Sequence, residues 1–326
     1  MNNTATQYGL LIVNLGSPNS PREADISEFL AAFLADHRVV HWPRWLWLPV
    51  LHGIVRRVRP RKVKPIYKSI WMGDQSPLVH YTQAQHAQLA EALPQVNVKY
   101  AMAYTAPRIA ETLREFEREG VEDLTIIPLY PQYAPSTVAA ITDQVFRHYL
   151  RATRIPNLRI ISQFTCQKHY INWHAQALRE RIDRLESRPD RIVFSFHGVP
   201  RHPRHEPEYY RTQCMETFDA ICRHRAISEL NIPGALTYQS KFGPGEWIGP
   251  ATIDEMARLP QEEAVRSVLV CTPGFLADCI ETLDEIDVLN REAFLNAGGT
   301  DFSYLNPMND DPAVTAMLLD LYHNAV

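Results

Sequence analysis

The stretch SVLVCTPGFLADCIETLDEID, residues 267 to 287, decides how the chain is read. Its first five residues suit a buried strand, Pro273 and Gly274 make a turn, and an acidic helix follows. Outward from this unit the same pattern recurs. YGLLIVNLG (8 to 16) is a strand closed by a glycine turn, and NVKYAMAY (97 to 104) and DLTIIPLYP (123 to 131) are further strands. IAETLREFEREG (109 to 120) lies between the last two, with helical spacing and a glycine stop. LRIISQF (158 to 164), RIVFSFHGV (191 to 199) and GALTYQSKFG (234 to 243) continue the series, separated by helical segments such as YINWHAQALRERIDRLES (170 to 187). Apolar strands alternating with helices predict an α/β fold whose parallel sheets are covered by helices. The pattern restarts near residue 155, which predicts two Rossmann-type lobes, with ligands taken outside the carboxyl ends of the strands.

Composition narrows the function. The chain has 326 residues, enough for two domains, and a hydrophobic fraction of 45% that supplies an ordinary core. A net charge of −4 offers no global basic field for nucleic acid. The five cysteines (Cys166, Cys214, Cys222, Cys271, Cys279) form no C-x-x-C pair, which suits a reducing cytoplasm better than a disulfide scaffold. The N-terminus has no signal-peptide pattern, and the most apolar run, WLWLPVLHGIV (45 to 55), falls short of the roughly 20 residues a membrane span needs. No internal repeat or low-complexity tract is evident.

The chemistry gathers after the strands, in NLGSP, LYPQYAPST, SFHGVP, QSKFGPGEW and the acidic helix. His197 ends a strand before Gly198, Val199 and Pro200, and reads either as a strand-end cap or as a general base or metal ligand. Five acids fall within residues 278 to 287: Asp278, Glu281, Asp284, Glu285 and Asp287. On one continuous helix, Asp278, Glu281 and Glu285 share a face, with Leu276, Ile280 and Leu283 packing beside it. The helix dipole accounts for an acid in the first turn, at about 0.3–1 kcal/mol, and fades beyond it. The later acids therefore point to handling of protons or a cation. Tyr130, Tyr133, Trp247 and Phe275 are each ordinary core candidates, yet together they suit a large flat apolar ligand with a polar edge. In HWPRWLWLPVLHGIVRRVRPRKVKPIYK (41 to 68), aromatic and aliphatic residues precede seven basic ones. This segment reads either as a solvated helix end or as an interfacial element for an anionic surface or ligand.

NLGSP, DHRVV (36 to 40), SPL (76 to 78), LYPQY, SFHGVP, YQSKFGPGEWIGP and PGFLADCIETLDEID together resemble the ferrochelatases, in order and along nearly the whole chain, and most nearly the Gram-negative bacterial form. The resemblance implies a chelatase fold of two lobes, 1–155 and 156–306, with the cleft between them and a C-terminal helix at 307–326 completing the first. It implies a cytoplasmic enzyme that inserts ferrous iron into protoporphyrin IX. His197 would be metal ligand and proton acceptor, Glu281 its partner, and Asp278 and Glu285 the rest of the acidic track. Tyr67, Ser76, Tyr104 and Trp247 would line the porphyrin pocket, with Leu15 against the macrocycle. Residues 41–68 would form an apolar pocket lip with peripheral contact to the inner membrane. Ala103 stands where many members carry an arginine, and Cys279 where others carry a histidine. The cysteine positions do not match those that hold a [2Fe–2S] cluster in some members, so iron is expected as substrate only, with no tightly bound cofactor and a monomeric chain. Coproporphyrin ferrochelatase, another tetrapyrrole chelatase such as a cobalt-inserting one, and a non-catalytic haem or porphyrin carrier are the alternative readings.

Overall fold

The computed structural model describes residues 7–241 and 245–326. The chain divides into two compact units, residues 1–163 with 310–326, and residues 164–309. Among the described residues no helix is long and apolar enough to cross a membrane.

The first unit holds a four-stranded parallel sheet of β1 (Tyr8–Asn14), β2 (Asn97–Met102), β3 (Asp123–Pro128) and β4 (Asn157–Ile160), in the order β2-β1-β3-β4. Leu10, Leu11, Ile12 and Val13 of the central strand are all 0% exposed. A strand buried on both faces reads as a continuous apolar run rather than an alternating one. The strand near residue 158, expected to open the second half, instead pairs with β3, so the division falls at 163/164. The C-terminal helix Pro312–Ala325 belongs to this unit and is tied to it where Thr315 donates to Gln88 Oε1 (2.6 Å).

The second unit repeats the arrangement. β5 (Arg191–His197), β6 (Gly234–Gln239), β7 (Ser267–Cys271) and β8 (Asp301–Leu305) are parallel in the order β6-β5-β7-β8. β8 escapes the sequence reading because it is short and keeps polar residues at Asp301 and Ser303. Between β7 and β8 lies the acidic helix Glu281–Asn290, a π-helix with i→i+5 hydrogen bonding. Its buried face is Thr282, Ile286 and Asn290, and Ile286 enters a core with Val193, Val268, Val270, Phe294 and Phe302. Full burial of a side chain of this size stabilises by about 1.5–3 kcal/mol, which holds the helix against the sheet. The packing face expected from Leu276, Ile280 and Leu283 is therefore not the one used. Leu276 precedes the helix, and the wider winding brings Thr282 and Ile286 inward.

Candidate active site

β5 delivers His197 to the carboxyl end of the second sheet, in register with Gln239 of β6. The next residue must be glycine, since a Cβ on Gly198 would sit 2.8 Å from the Gln239 carbonyl. That close approach is a hydrogen bond, Gly198 N–H donating to Gln239 O at 2.7 Å. His197 Nδ1 lies 2.7 Å from the Gly198 carbonyl oxygen. A carbonyl only accepts, so Nδ1 carries the hydrogen and Nε2 the lone pair when the ring is neutral. The ring is half-buried, tilted 48° against Phe275 with centroids 6.5 Å apart.

Glu281 and Glu285, one turn apart on the π-helix, are half-buried. Ser240 holds Glu285 at both oxygens, the backbone N–H donating to Oε1 (2.6 Å) and the hydroxyl to Oε2. Ser240 has φ +67°, a left-handed conformation uncommon for a side chain with Cβ. Burial pushes the Glu285 carboxyl above its ordinary value and neighbouring Glu281 adds to the rise, against the opposing pull of Ser240 and His197. His197 and Glu281 therefore both lie within electrostatic reach of the Glu285 carboxyl.

Asp278 does not share this helical face. It precedes the helix and is 2% exposed. Its carboxylate accepts from Thr282 Oγ1 (2.8 Å), Asn306 Nδ2 (2.9 Å) and Asn309 Nδ2 (2.7 Å), while its own N–H donates to Asn309 Oδ1 (2.8 Å). Burial raises its carboxyl above the usual range despite those three donors. Asp278 ties the turn before the helix to the segment after β8. Cys279, beside it, is buried, and burial together with the Glu281 carboxylate keeps its thiol protonated. Trp247 is half-buried and bridges to Pro200, which follows the His197 turn. It lines a cavity of about 220 Å³ with Gly198, Gln239 and Lys241. The expected segment QSKFGPGEW falls partly outside the described residues, at 242–244. Among the described residues no three His, Cys, Asp or Glu side chains are gathered as a metal cage.

In the first unit, Leu15 and Tyr104 meet at the sheet end, Tyr104 N–H donating to Leu15 O (3.1 Å). Asn14 braces them, accepting from Leu15 N (2.8 Å) and donating to Thr82 (3.0 Å). Ala103 is buried beside them, its N–H on Asn14 O (2.9 Å). The Tyr104 hydroxyl donates to Asp36 of the DHRVV segment (3.1 Å), and burial pushes it well above the ordinary phenol range. Ser76 caps the helix Pro77–Ala92 by accepting from Val79 N–H (3.4 Å). Tyr67 is buried edge-on to Trp71, and Tyr130 is half-buried just past β3. Residues 41–68 run through the helix Arg44–Val50, a π-turn Leu51–Val55 and the helix Arg56–Ile70. Trp47 and Leu51 anchor this segment, Trp47 Nε1 donating to Leu34 O (2.7 Å), while Trp45 stays 78% exposed and Ile54 60%.

Sequence reading marks the segment QSKFGPGEW but gives no role to its first two residues, Gln239 and Ser240, and passes over Ser195 and Thr252. Gln239 Nε2 donates to the Glu281 carbonyl (2.7 Å), and Ser195 donates to Gln239 Oε1 (2.8 Å). The signal available for two of them was a polar residue inside an apolar strand, Ser195 in RIVFSFH and Gln239 in GALTYQ.

A model of the ferrochelatase family matches residues 7–326. The coproporphyrin III ferrochelatase of Lactococcus lactis subsp. cremoris (strain SK11) is 40% identical over 315 residues, 96% of this chain and 95% of that protein. The ferrochelatase of Sodalis glossinidius (strain morsitans) is 40% identical over 323 residues, 98% of this chain and 93% of that one. Among solved structures, SirB from Bacillus subtilis with Fe3+ has a TM-score of 0.58 at 10% identity, over 98% of this chain and 96% of its own. CbiX, described as the terminal enzyme for siroheme biosynthesis in denitrifying bacteria, has a TM-score of 0.52 at 16% identity, over 98% and 99%. At such identities the two structures show the shared fold of two α/β lobes alone.

Proposed function

The chain belongs to the ferrochelatase family of metal-inserting lyases, and on that premise we propose that it inserts ferrous iron into protoporphyrin IX to form protohaem. One observation carries the reading. His197, with Nδ1 committed to the Gly198 carbonyl, shares a sheet end with two carboxylates, one of them held in place by Ser240. Insertion requires two pyrrole N–H protons to leave and iron to shed water. Nε2 of His197 is the acceptor for the first proton, a role worth about 10²–10⁴-fold in rate. Glu285, with its carboxyl raised by burial, takes up a proton nearer neutral pH than an exposed glutamate does. Imidazole and carboxylate also suit ferrous iron in transit, with Glu281 and His197 as the contacting pair until Nε2, the ring's one free lone pair, takes the proton. Asp278 enters as the anchor of the turn that precedes these acids rather than as a member of the track.

Leu15, Tyr67, Ser76, Tyr104, Tyr130, Trp247 and Phe275 are proposed to line the porphyrin site, and the ring is bent there at the expense of binding energy. The substrate carboxylates, lacking an arginine at Ala103, are assigned to the basic run 56–68. Lys64 and Arg61 of that run engage Glu23, which leaves Arg57, Lys62 and Lys68 without an ion pair among the described residues. The exposed Trp45, Leu46, Ile54 and Val58 form the apolar lip and its peripheral contact with a membrane surface. No resident cluster is part of the reading.

The equal identity to a coproporphyrin III ferrochelatase and a ferrochelatase supports coproporphyrin III as a second reading of the substrate. Anaerobic incubation with ferrous iron and each porphyrin, followed through the Soret and Q bands, separates the two by kcat/KM. Binding of both porphyrins with no change toward the metallated spectrum would instead mark a carrier and sink the enzymatic reading.

A further inference from the structure

We propose that Gln239 is a positioning residue that sets Glu281 relative to His197. The inference rests on the reading of that pair as the reacting centre, and it concerns a residue that touches neither iron nor porphyrin in that scheme. Gln239 is the last residue of β6, 3% exposed, and three separate bonds issue from it. Its backbone carbonyl accepts the Gly198 N–H at 2.7 Å, next to the peptide oxygen that fixes His197 Nδ1. Its side-chain nitrogen donates to the Glu281 carbonyl at 2.7 Å, in the first turn of the π-helix. Its side-chain oxygen accepts from the Ser195 hydroxyl at 2.8 Å. The amide orientation follows from chemistry, because a backbone carbonyl can only accept and a nitrogen must face it.

The remainder of the chain of contacts is buried and polar. Ser195 lies 2.8 Å from Thr252, and Thr252 2.9 Å from Thr237, with all three side chains 0% exposed. Apolar residues of the same shape fill such positions at little or no loss of stability when both partners of a bond are replaced. A fully satisfied buried network instead rigidifies and specifies one arrangement. Here the specified object is the distance between two elements, the end of β5 and the start of the acidic helix. Both are held by one residue, so a shift of Gln239 moves Glu281 against His197. Displacement of a reacting group by about 1 Å costs up to about 10²-fold in rate.

The test compares kcat and porphyrin KM for wild type, Gln239→Met, Glu281→Gln and the Gln239→Met/Glu281→Gln double variant in the anaerobic metallation assay. Methionine keeps the length and volume and removes both polar ends. Gln239→Met is expected to lower kcat about tenfold, or roughly 1.4 kcal/mol of barrier, with porphyrin KM within about twofold of wild type. In the Glu281→Gln background the same change is expected to lower kcat no further, because its effect runs through the carboxylate already removed. A full tenfold loss in that background, or a rise in KM with kcat unchanged, overturns the inference. Where Gln239→Met does not fold by circular dichroism, Ser195→Ala serves in the same cycle, with a two- to threefold loss expected on wild type and none on Glu281→Gln. No iron insertion by the wild type, or full turnover by Glu281→Gln, would overturn the reading of the site itself, which separates that failure from this one.

Discussion

The central strands β1 and β5 occupy the same place in two sheets of the same order, and they end in residues that have been put to different use. β1 ends at Asn14, 4% exposed, with the side-chain oxygen on Leu15 N–H and the nitrogen on Thr82. β5 ends at His197, half-buried, with Nδ1 on Gly198 O and Nε2 bonded to none of the described residues. The rest of each sheet end follows suit. In the first unit the polar atoms of Tyr104 and Ser76 are spent on Asp36 and a helix N-terminus. In the second, Glu281 and Glu285 stand in a turn whose own support comes from Gln239, Ser240 and Asp278. One frame thus supplies a surface where Asn14, Tyr104 and Ser76 have their polar atoms satisfied and a surface whose titratable groups are supported from behind. The frame does not decide the chemistry, which lives in the residues grafted on the strand ends.

Removing the group that makes the second sheet end reactive has the largest expected effect. His197→Ala should lower kcat by 10²–10⁴-fold, the range for loss of a general base. Thermal unfolding should stay within a few degrees of wild type, because the ring lies at a strand end outside the core. Near-normal turnover by this variant would erase the distinction between His197 and Asn14. Glu281→Gln keeps shape and removes charge, and should cost about ten- to a hundredfold in kcat with porphyrin affinity little changed. A binding defect without a rate defect would place Glu281 with the structural carboxylates.

These sites were unequally legible in the sequence. The alternation of apolar strands and helices exposed both sheets except β8, whose short alternating run looks like loop. His197 was visible because a histidine followed by Gly-Val-Pro at a strand end is chemically conspicuous. Helical spacing groups Asp278 with Glu281 and Glu285 as though one helix carried all three. Spacing carries no sign of a helix that begins three residues later and winds wider. Ser240 was missed for a related reason, since a positive φ on serine is set by the tertiary frame and leaves no mark in composition. Gln239 was hidden by its place at the end of an apolar strand, where its partners lie 42 and 44 residues away along the chain.

Acid should also distinguish the two units, in stability rather than in turnover. His174 on the helix Lys168–Asp183 is 1% exposed, stacked edge-on against Tyr170 and Trp173, and burial lowers its pKa to about 4. The unfolded chain takes up this proton near pH 6.5, the folded chain only near pH 4. The stability of the neutral ring is therefore fully present above about pH 6.5 and is lost as pH falls toward 4. The loss amounts to about 3 kcal/mol at about 1.4 kcal/mol per unit. Urea unfolding across this window should show the slope, and His174→Phe should flatten it. The raised Asp278 and Glu285 carboxyls of the same unit gain stability as pH falls, so the His174 share is read as the difference in slope between wild type and His174→Phe.

The smallest effect is expected at Tyr104, and it tests the satisfied side of the comparison. Its hydroxyl donates to Asp36 Oδ2 at 3.1 Å, its ring meets Phe33 edge-on at 5.2 Å, and it is 5% exposed. Tyr104→Phe removes the hydroxyl and keeps the ring. A hydrogen bond to a charged group is worth about 1.5–3 kcal/mol, and Asp36 keeps its second donor, the Arg38 N–H at 2.8 Å, which places the loss toward the lower end. If the first unit meets the porphyrin through ring surface alone, kcat and KM should both stay within about twofold of wild type while the unfolding midpoint falls. A tenfold loss of kcat at unchanged stability would mean that the hydroxyl leaves Asp36 for the substrate. The first sheet end would then be as much a chemical surface as the second.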